Sequence, residues 1–271
     1  MSGLCHRARE RRRLLSMDIN HSTVLIAGGT SGLGLGIAQK LAAAGSTVIV
    51  GGRRADLLAA IAAQNPGIGT VEIDVTDDAS VAAARDTVLG QYPDLSAVIT
   101  MSGIMIAEDL RKADHFEATR RTVETNLLGT IRVVDAFTPH FLQRGAGTIV
   151  TVTSGIAFVP FPLTPAYGAT KAGIHSYTES LREQLAGTGV EVTELIPPLV
   201  ATTLMGESQQ NDPNAMPLQD FVDESVGLLS QQPTPREITV QRVEAQRHAV
   251  VNGIYDQMLS RFSGALAALG R

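Results

Sequence analysis

The chain has no tryptophan, a single cysteine and only 4% aromatic residues among its 271 positions. The lone Cys5 excludes an intrachain disulfide framework and a cysteine-based zinc site, and it fits a reducing, cytoplasmic setting. No apolar run reaches the ~18–20 residues that a membrane helix needs. Positive charge is in deficit: the formal net charge is −5, which gives no electrostatic case for nucleic acid or an anionic membrane as partner. His115, His140 and His175 lie in predicted helices without a second ligand at metal spacing, so no metal site is expected.

Alanine, valine, isoleucine and glycine are abundant instead. The chain is 44% apolar with 26 glycines, which suits one α/β domain with a substantial core. The basic residues are unevenly placed. MSGLCHRARERRRLLS carries five arginines and one acid, and without it the remainder has a net charge of −9. This stretch lacks the apolar core of a secretory signal. Residues 1–19 are therefore expected to be a disordered basic extension, and residues 20–271 a single domain.

From residue 22 the pattern alternates. STVLI is a short strand, AGGTSG a glycine-rich turn, and Leu33–Ala44 a helix that stops at Gly45. Gly28, Gly32 and Gly34 permit a tight turn and the close approach of a pyrophosphate to a helix N-terminus. TVIV is the second strand. Dinucleotide folds that select NAD place an acid at its end, but here Gly51 and Gly52 are followed by Arg53 and Arg54. Two guanidiniums and no carboxylate favour NADP over NAD. A third strand over 70–74 ends in Asp74-Val75, where a carboxylate can accept from an adenine amino group. Ser96–Met101 is the fourth strand and leads into Ser102-Gly103. A long amphipathic segment from about His115 to Phe141 follows and holds Asn126, a mid-helix asparagine that needs a partner.

The fifth strand, Thr148–Val152, leads to Ser154, and a helix with Tyr167 and Lys171 on one face begins near Ala166. An ammonium one turn from a phenol is expected to lower the tyrosine pKa and make it useful as an acid–base group near neutrality. The sixth strand, Val190–Ile196, is broken by Pro197-Pro198. Residues 199–217 form a long polar loop, expected to be a substrate lid. A helix over 218–230, a last strand at Glu237–Val240 and one amphipathic tail helix from Val243 complete the pattern. Phe158, Phe161, Leu163, Leu204 and Met205 either line a substrate pocket or pack the lid.

Alternating strands and helices predict a doubly wound Rossmann fold, with ligands at the C-terminal strand ends. Gly28, Arg53, Asp74, Gly103, Ser154 and Pro197 all fall at or just past such an end, which scattered structural residues would not do. Taken together these residues resemble the short-chain dehydrogenase/reductase family, in its single-domain branch, and a bacterial subgroup labelled with D-alanine esterification of teichoic acids. The likeness covers nearly all of residues 20–260. It implies a seven-stranded, mainly parallel sheet of order 3-2-1-4-5-6-7. It also implies a catalytic set of Asn126, Ser154, Tyr167 and Lys171. Cofactor contacts are implied at Gly28, Thr30, Ser31, Gly32, Leu33, Gly34, Arg53, Arg54, Asp74, Val75, Ser102, Gly103, Tyr167, Lys171, Pro197, Val200 and Thr202. The activity implied is NADPH-linked reduction of a small carbonyl by a homodimer or homotetramer. Three places depart from the family pattern: Ala27 stands for a threonine, Thr100-Met101-Ser102 for Asn-Asn-Ala before the retained Gly103, and Pro198 for a glycine. The Thr100-Met101-Ser102 and Pro198 departures support a rival, a nicotinamide-binding sensor without turnover; NAD-linked alcohol oxidation is a third reading.

Overall fold

In the computed structural model the described residues are 17–269. Seven short runs rich in Val, Ile and Thr form the strands: β1 (Thr23–Ala27), β2 (Thr47–Gly52), β3 (Ile68–Glu72), β4 (Ala97–Thr100), β5 (Gly147–Val152), β6 (Val190–Ile196) and β7 (Glu237–Thr239). They pair in the order β3-β2-β1-β4-β5-β6-β7, and every pairing is parallel, so the sheet is wholly rather than mainly parallel. Direction reverses around β1, which pairs with both β2 and β4 (Val24↔Val48 and Val24↔Ala97). That switch point opens a crevice above the carboxyl ends of the strands.

Both faces of the sheet are covered, so the central strands read as continuous apolar runs. Val24 and Ile26 of β1 face one core with Ile37, Leu41, Phe221 and Val226. The alternate residues Leu25 and Ala27 face the other, with Val88, Val133, Phe137 and Phe141. The covering helices are α1 (Gly32–Ala44), α2 (Ala55–Gln64), α3 (Asp78–Gln91), α4 (Phe116–Thr122), α5 (Gly129–Arg144), α6 (Pro165–Gln184), α7 (Glu207–Gln210), α8 (Leu218–Leu229), α9 (Gln241–Arg247) and α10 (Tyr255–Ser263). α1 ends as its glycine predicts, with Gly45 at φ 112° donating to Ala42 O and Leu41 O.

Four details differ from the sequence expectation. Residues 1–16 of the expected extension lie outside the described residues, whereas Met17 belongs to the fold. It is 2% exposed and its N–H donates to Thr234 Oγ1 at 3.2 Å. β3 starts and stops two residues early, because Asp74 turns the chain: its Oδ1 accepts from Thr76 N and Thr76 Oγ1. The segment from His115 to Phe141 is helical but widens to π geometry over Val123–Leu128, a form often found at functional sites. The tail is two helices rather than one, interrupted near Gly253, which has φ 68°.

Candidate active site

One cavity of about 560 Å³ runs along the carboxyl ends of the strands. Its floor is the turn after β1. Gly28 sits at φ 96°, and a Cβ there would lie 2.3 Å from Ser102 N. A Cβ on Gly34 would lie 2.5 Å from Gly28 O. Both contacts are with backbone that cannot give way, so glycine is required at each. The bare turn presents the first N–H groups of α1 to the cavity through Ser31, Gly32 and Leu33. Such a turn could receive a phosphate group.

Beside it, the end of β2 has no room for a side chain. A Cβ on Gly52 would lie 2.4 Å from Thr30 Cγ2, and one on Gly51 would lie 2.8 Å from Ile73 Cγ2. The missing acid is thus built into the packing. Arg53 and Arg54 follow, both exposed and both lining the cavity, with Arg54 at the N-cap of α2. Among the described residues neither guanidinium makes an ion pair, and a cation at a helix N-terminus gains nothing from the dipole. Asp74 and Val75 line the same end. The Asp74 carboxyl is held below its ordinary range, chiefly by the Thr76 N–H, and Arg53 contributes to the same effect.

Ser154, Tyr167 and Lys171 meet at the other end of the cavity. Ser154 is extended (φ −172°) and caps a short 3-10 turn, its Oγ accepting from Ile156 N at 3.3 Å and resting 3.5 Å from Pro197 O. Pro165 starts α6 at a position where its missing N–H costs nothing. The next N–H, on Ala166, donates to the buried carboxylate of Glu108 at 3.0 Å, so the helix is pinned immediately before Tyr167. Glu108 also accepts from Thr119 Oγ1. Lys171 is 4% exposed and donates to Val152 O at 2.8 Å; its Nζ lies 5.5 Å from the centre of the Tyr167 ring.

The expected pKa shift of Tyr167 is reversed. Burial pushes the phenol up to about 12, and the Ser154 hydroxyl only partly counters this. Burial also pulls Lys171 down to about 8. The spacing does place the ammonium beside the ring, but its hydrogen bond goes to a backbone carbonyl and desolvation outweighs the charge.

Asn126 does not line the cavity. It is wholly buried behind it, where Oδ1 accepts from Ile104 N (2.8 Å) and Nδ2 donates to Ile104 O (2.9 Å) and Thr170 Oγ1 (3.4 Å). It therefore braces the segment after β4 against α6, the partner that a buried mid-helix asparagine requires. Every other residue expected to contact catalytic or cofactor groups lines the cavity: Thr30, Ser102, Gly103, Pro197, Val200 and Thr202 as well as those already described.

The loop over 199–217 is tied at its base. Met216 N donates to Leu199 O, Ala201 N to Met216 O, and the Gln209 amide to Val200 O and Thr202 Oγ1. Of the apolar candidates only Leu204 lines the cavity. Phe158 packs instead on His175 and Arg247, and Phe161 on Phe262 of α10. Residues that the sequence did not flag also line it, among them Thr153, Met105, Arg121 and Gln209. Of these, Thr153, next to Ser154 past a strand end, and Gln209, inside the expected lid, carried a positional signal. The histidines also differ from expectation in one case. His140 bonds Leu95 O and His115 lies by Thr119, but His175 joins Glu194 and Glu237, with donor atoms all within 4.8 Å. These three come from α6, β6 and β7, which no local spacing could reveal. Arg247 already supplies a cation, forking Glu237 with two 2.8 Å bonds.

The family model described as short chain dehydrogenase matches residues 22–213. An uncharacterized oxidoreductase, DltE, of Bacillus subtilis is 34% identical over 251 residues, 91% of this chain and 98% of its own. Sulfoacetaldehyde reductase 2 of Chromohalobacter salexigens is 32% identical over 183 residues, 66% of this chain and 73% of its own. A short chain dehydrogenase from Burkholderia cenocepacia, solved in complex with NADP, superposes with a TM-score of 0.76 at 26% identity, covering 90% of this chain and 99% of that one. The likeness to DltE is the subgroup likeness expected from the sequence. No described helix is long and apolar enough to cross a membrane.

Proposed function

The chain belongs to the short-chain dehydrogenase family, a family of nicotinamide-dependent oxidoreductases, and on that premise we propose that it is an NADPH-dependent reductase of small aldehydes or ketones. The observation that carries this is one cavity holding Ser154, Tyr167 and Lys171 at one end and Arg53 with the bare glycine turn at the other. The residues fit the cofactor: the Gly28–Gly34 cradle and the start of α1 receive the pyrophosphate, Arg53 and then Arg54 the 2′-phosphate, and Asp74 the adenine. When bound, the dinucleotide supplies hydride to the carbonyl carbon.

The protein's own part is the proton and the orientation. Ser154 Oγ donates to the carbonyl oxygen and stabilises its growing charge. Tyr167 Oη then gives that oxygen its proton. A phenol pushed up to about 12 is fully protonated at neutral pH, and its phenolate is still far less basic than an alkoxide, so the transfer runs downhill. Lys171 holds the ribose hydroxyls and restores the Tyr167 proton. Asn126, whose amide bonds both Ile104 backbone groups, braces the segment after β4 against the helix that carries Lys171. The loop over 199–217 serves as the substrate lid. The apolar lining from Met101, Met105 and Leu204 suits a small, partly apolar carbonyl compound; the similarity to an enzyme named for sulfoacetaldehyde supports a short aldehyde. We place the enzyme in the cytoplasm as a homodimer or homotetramer, without nucleic-acid or membrane partners.

Fluorescence titration with NADPH, followed by NADPH consumption against a panel of short aldehydes, ketones and quinones, tests this reading. Micromolar binding with turnover of at least one carbonyl is expected; tight binding with no turnover across the panel points to a sensor instead. A pH profile tests the proton relay. Lys171 is charged below about 8. Accordingly kcat/KM for NADPH, which reports the free enzyme, should fall as pH rises through about 8, and Lys171→Met should lack that limb. A flat profile in wild type rules out Lys171 as the titrating group.

A further inference from the structure

Lys171, His175 and Thr178 lie along one face of α6, and each is tied to the three residues that lead into Ser154. Thr178 Oγ1 meets Thr151 Oγ1 at 2.8 Å. Lys171 Nζ donates to Val152 O at 2.8 Å. His175 reaches the third residue through a carboxylate: its Nδ1 lies 2.8 Å from Glu194 Oε2, and Thr153 Oγ1 donates to Glu194 Oε1 at 2.6 Å. Glu194 stands on β6 directly opposite Thr151 and is wholly buried.

A buried carboxylate is costly unless a cation and hydrogen bonds satisfy it. His175, when protonated, is such a cation. The Glu194 hydrogen bond holds its pKa above the ordinary histidine value, with help from the charges of Glu194 and Glu237; burial and Arg247 oppose this. The groups facing it are Glu194 from β6, Glu237 from β7, Arg247 from α9 and the Phe158 ring, whose centre lies 4.9 Å from its own. A buried ion pair is a weak source of stability, since apolar residues of similar size commonly do as well. What this pair adds is a fixed link between two elements, and the link ends on Thr153, which lines the cavity beside Ser154.

We propose that His175 and Glu194 are positioning residues: their bridge locks the strand end carrying Ser154 to the helix carrying Tyr167 and Lys171, and so sets the gap that holds the carbonyl oxygen. This rests on the reductase reading above.

The test uses the full chain with His175→Leu/Glu194→Leu, which removes both charges together, alongside His175→Gln and Glu194→Gln. The double variant is expected to melt within a few degrees of wild type and to bind NADPH with unchanged affinity. Its kcat, on whichever panel carbonyl the wild type reduces fastest, should fall about tenfold, because a small misplacement of reacting groups is expensive. His175→Gln reads the charge itself. A histidine whose pKa is raised by folding adds stability below its unfolded value of 6.5 and loses it as pH rises through the folded value. The melting gap to wild type should therefore be widest below pH 6.5 and close at alkaline pH. Unchanged kcat in a folded variant overturns the proposal. If the double variant does not fold, Glu194→Gln, which keeps an acceptor for Thr153, decides by the same kcat and NADPH measurements. If wild type reduces nothing, the reductase reading fails. Crystal structures of wild type and variant then decide the positioning claim, with an unmoved Ser154 relative to Tyr167 overturning it.

Discussion

Tyr167→Phe is expected to lower carbonyl-reducing turnover by about 10²–10⁴-fold and to leave the NADPH dissociation constant nearly unchanged. The substitution removes one oxygen and nothing else. The ring remains 7% exposed at the cavity wall, with Lys171 Nζ at 5.5 Å, so the packing that places Lys171 survives. What is lost is the hydroxyl that is protonated at neutral pH and hydrogen-bonded with Ser154. Lys171 Nζ donates to Val152 O and lies 5.5 Å from the ring centre, so it is placed to resupply Tyr167 rather than to stand in for its hydroxyl. The loss should appear in kcat and in kcat/KM alike, as for an interaction made only in the transition state. Near-wild-type turnover would sink the assignment of Tyr167; equal losses of turnover and of NADPH binding would mean that the variant has disturbed the site as a whole.

How far the sequence predicted the site depends on which signals were local. The strand–turn–helix at Gly28 was legible because steric requirements act between near neighbours: a Cβ on Gly34 meets Gly28 itself. Tyr167 and Lys171 were legible because helical spacing fixes a shared face. The sign of the Tyr167 shift was not, because desolvation depends on what the rest of the chain packs around the pair. The fate of Phe158 and Phe161 was equally hidden, since their partners are Arg247 and Phe262, 89 and 101 positions further on. Glu108 had no sequence signal at all. Its buried carboxylate pins the start of α6 only because the segment after β4 folds back onto Ala166. Local patterns thus fixed which residues share a turn or a helix face, and tertiary packing set their surroundings and energetics.

Arg53→Ala is expected to weaken NADPH binding by about 10–100-fold, from the ~1.5–3 kcal/mol of a hydrogen bond to a charged group, while NADH binding stays unchanged. The argument begins at Gly52, where Thr30 leaves no space for a side chain. A carboxylate at the end of β2 would require Thr30 to shift, so in the proposed reading discrimination would fall to the guanidinium that follows. Arg53 is exposed and makes no ion pair among the described residues, so binding a phosphate breaks no existing bridge. The nearby Asp74 carboxyl is kept ionised, and Arg53 currently offsets its charge. Removing Arg53 thus takes away an attraction and uncovers a repulsion of the same dianion, which deepens the loss. Because the guanidinium is solvent-exposed, the wild-type advantage for NADPH should shrink as salt rises, whereas the variant's NADPH affinity should respond much less. Wild-type NADPH affinity in Arg53→Ala would move the role to Arg54, and the same result in Arg53→Ala/Arg54→Ala would mean that the β2 end does not read the 2′-phosphate.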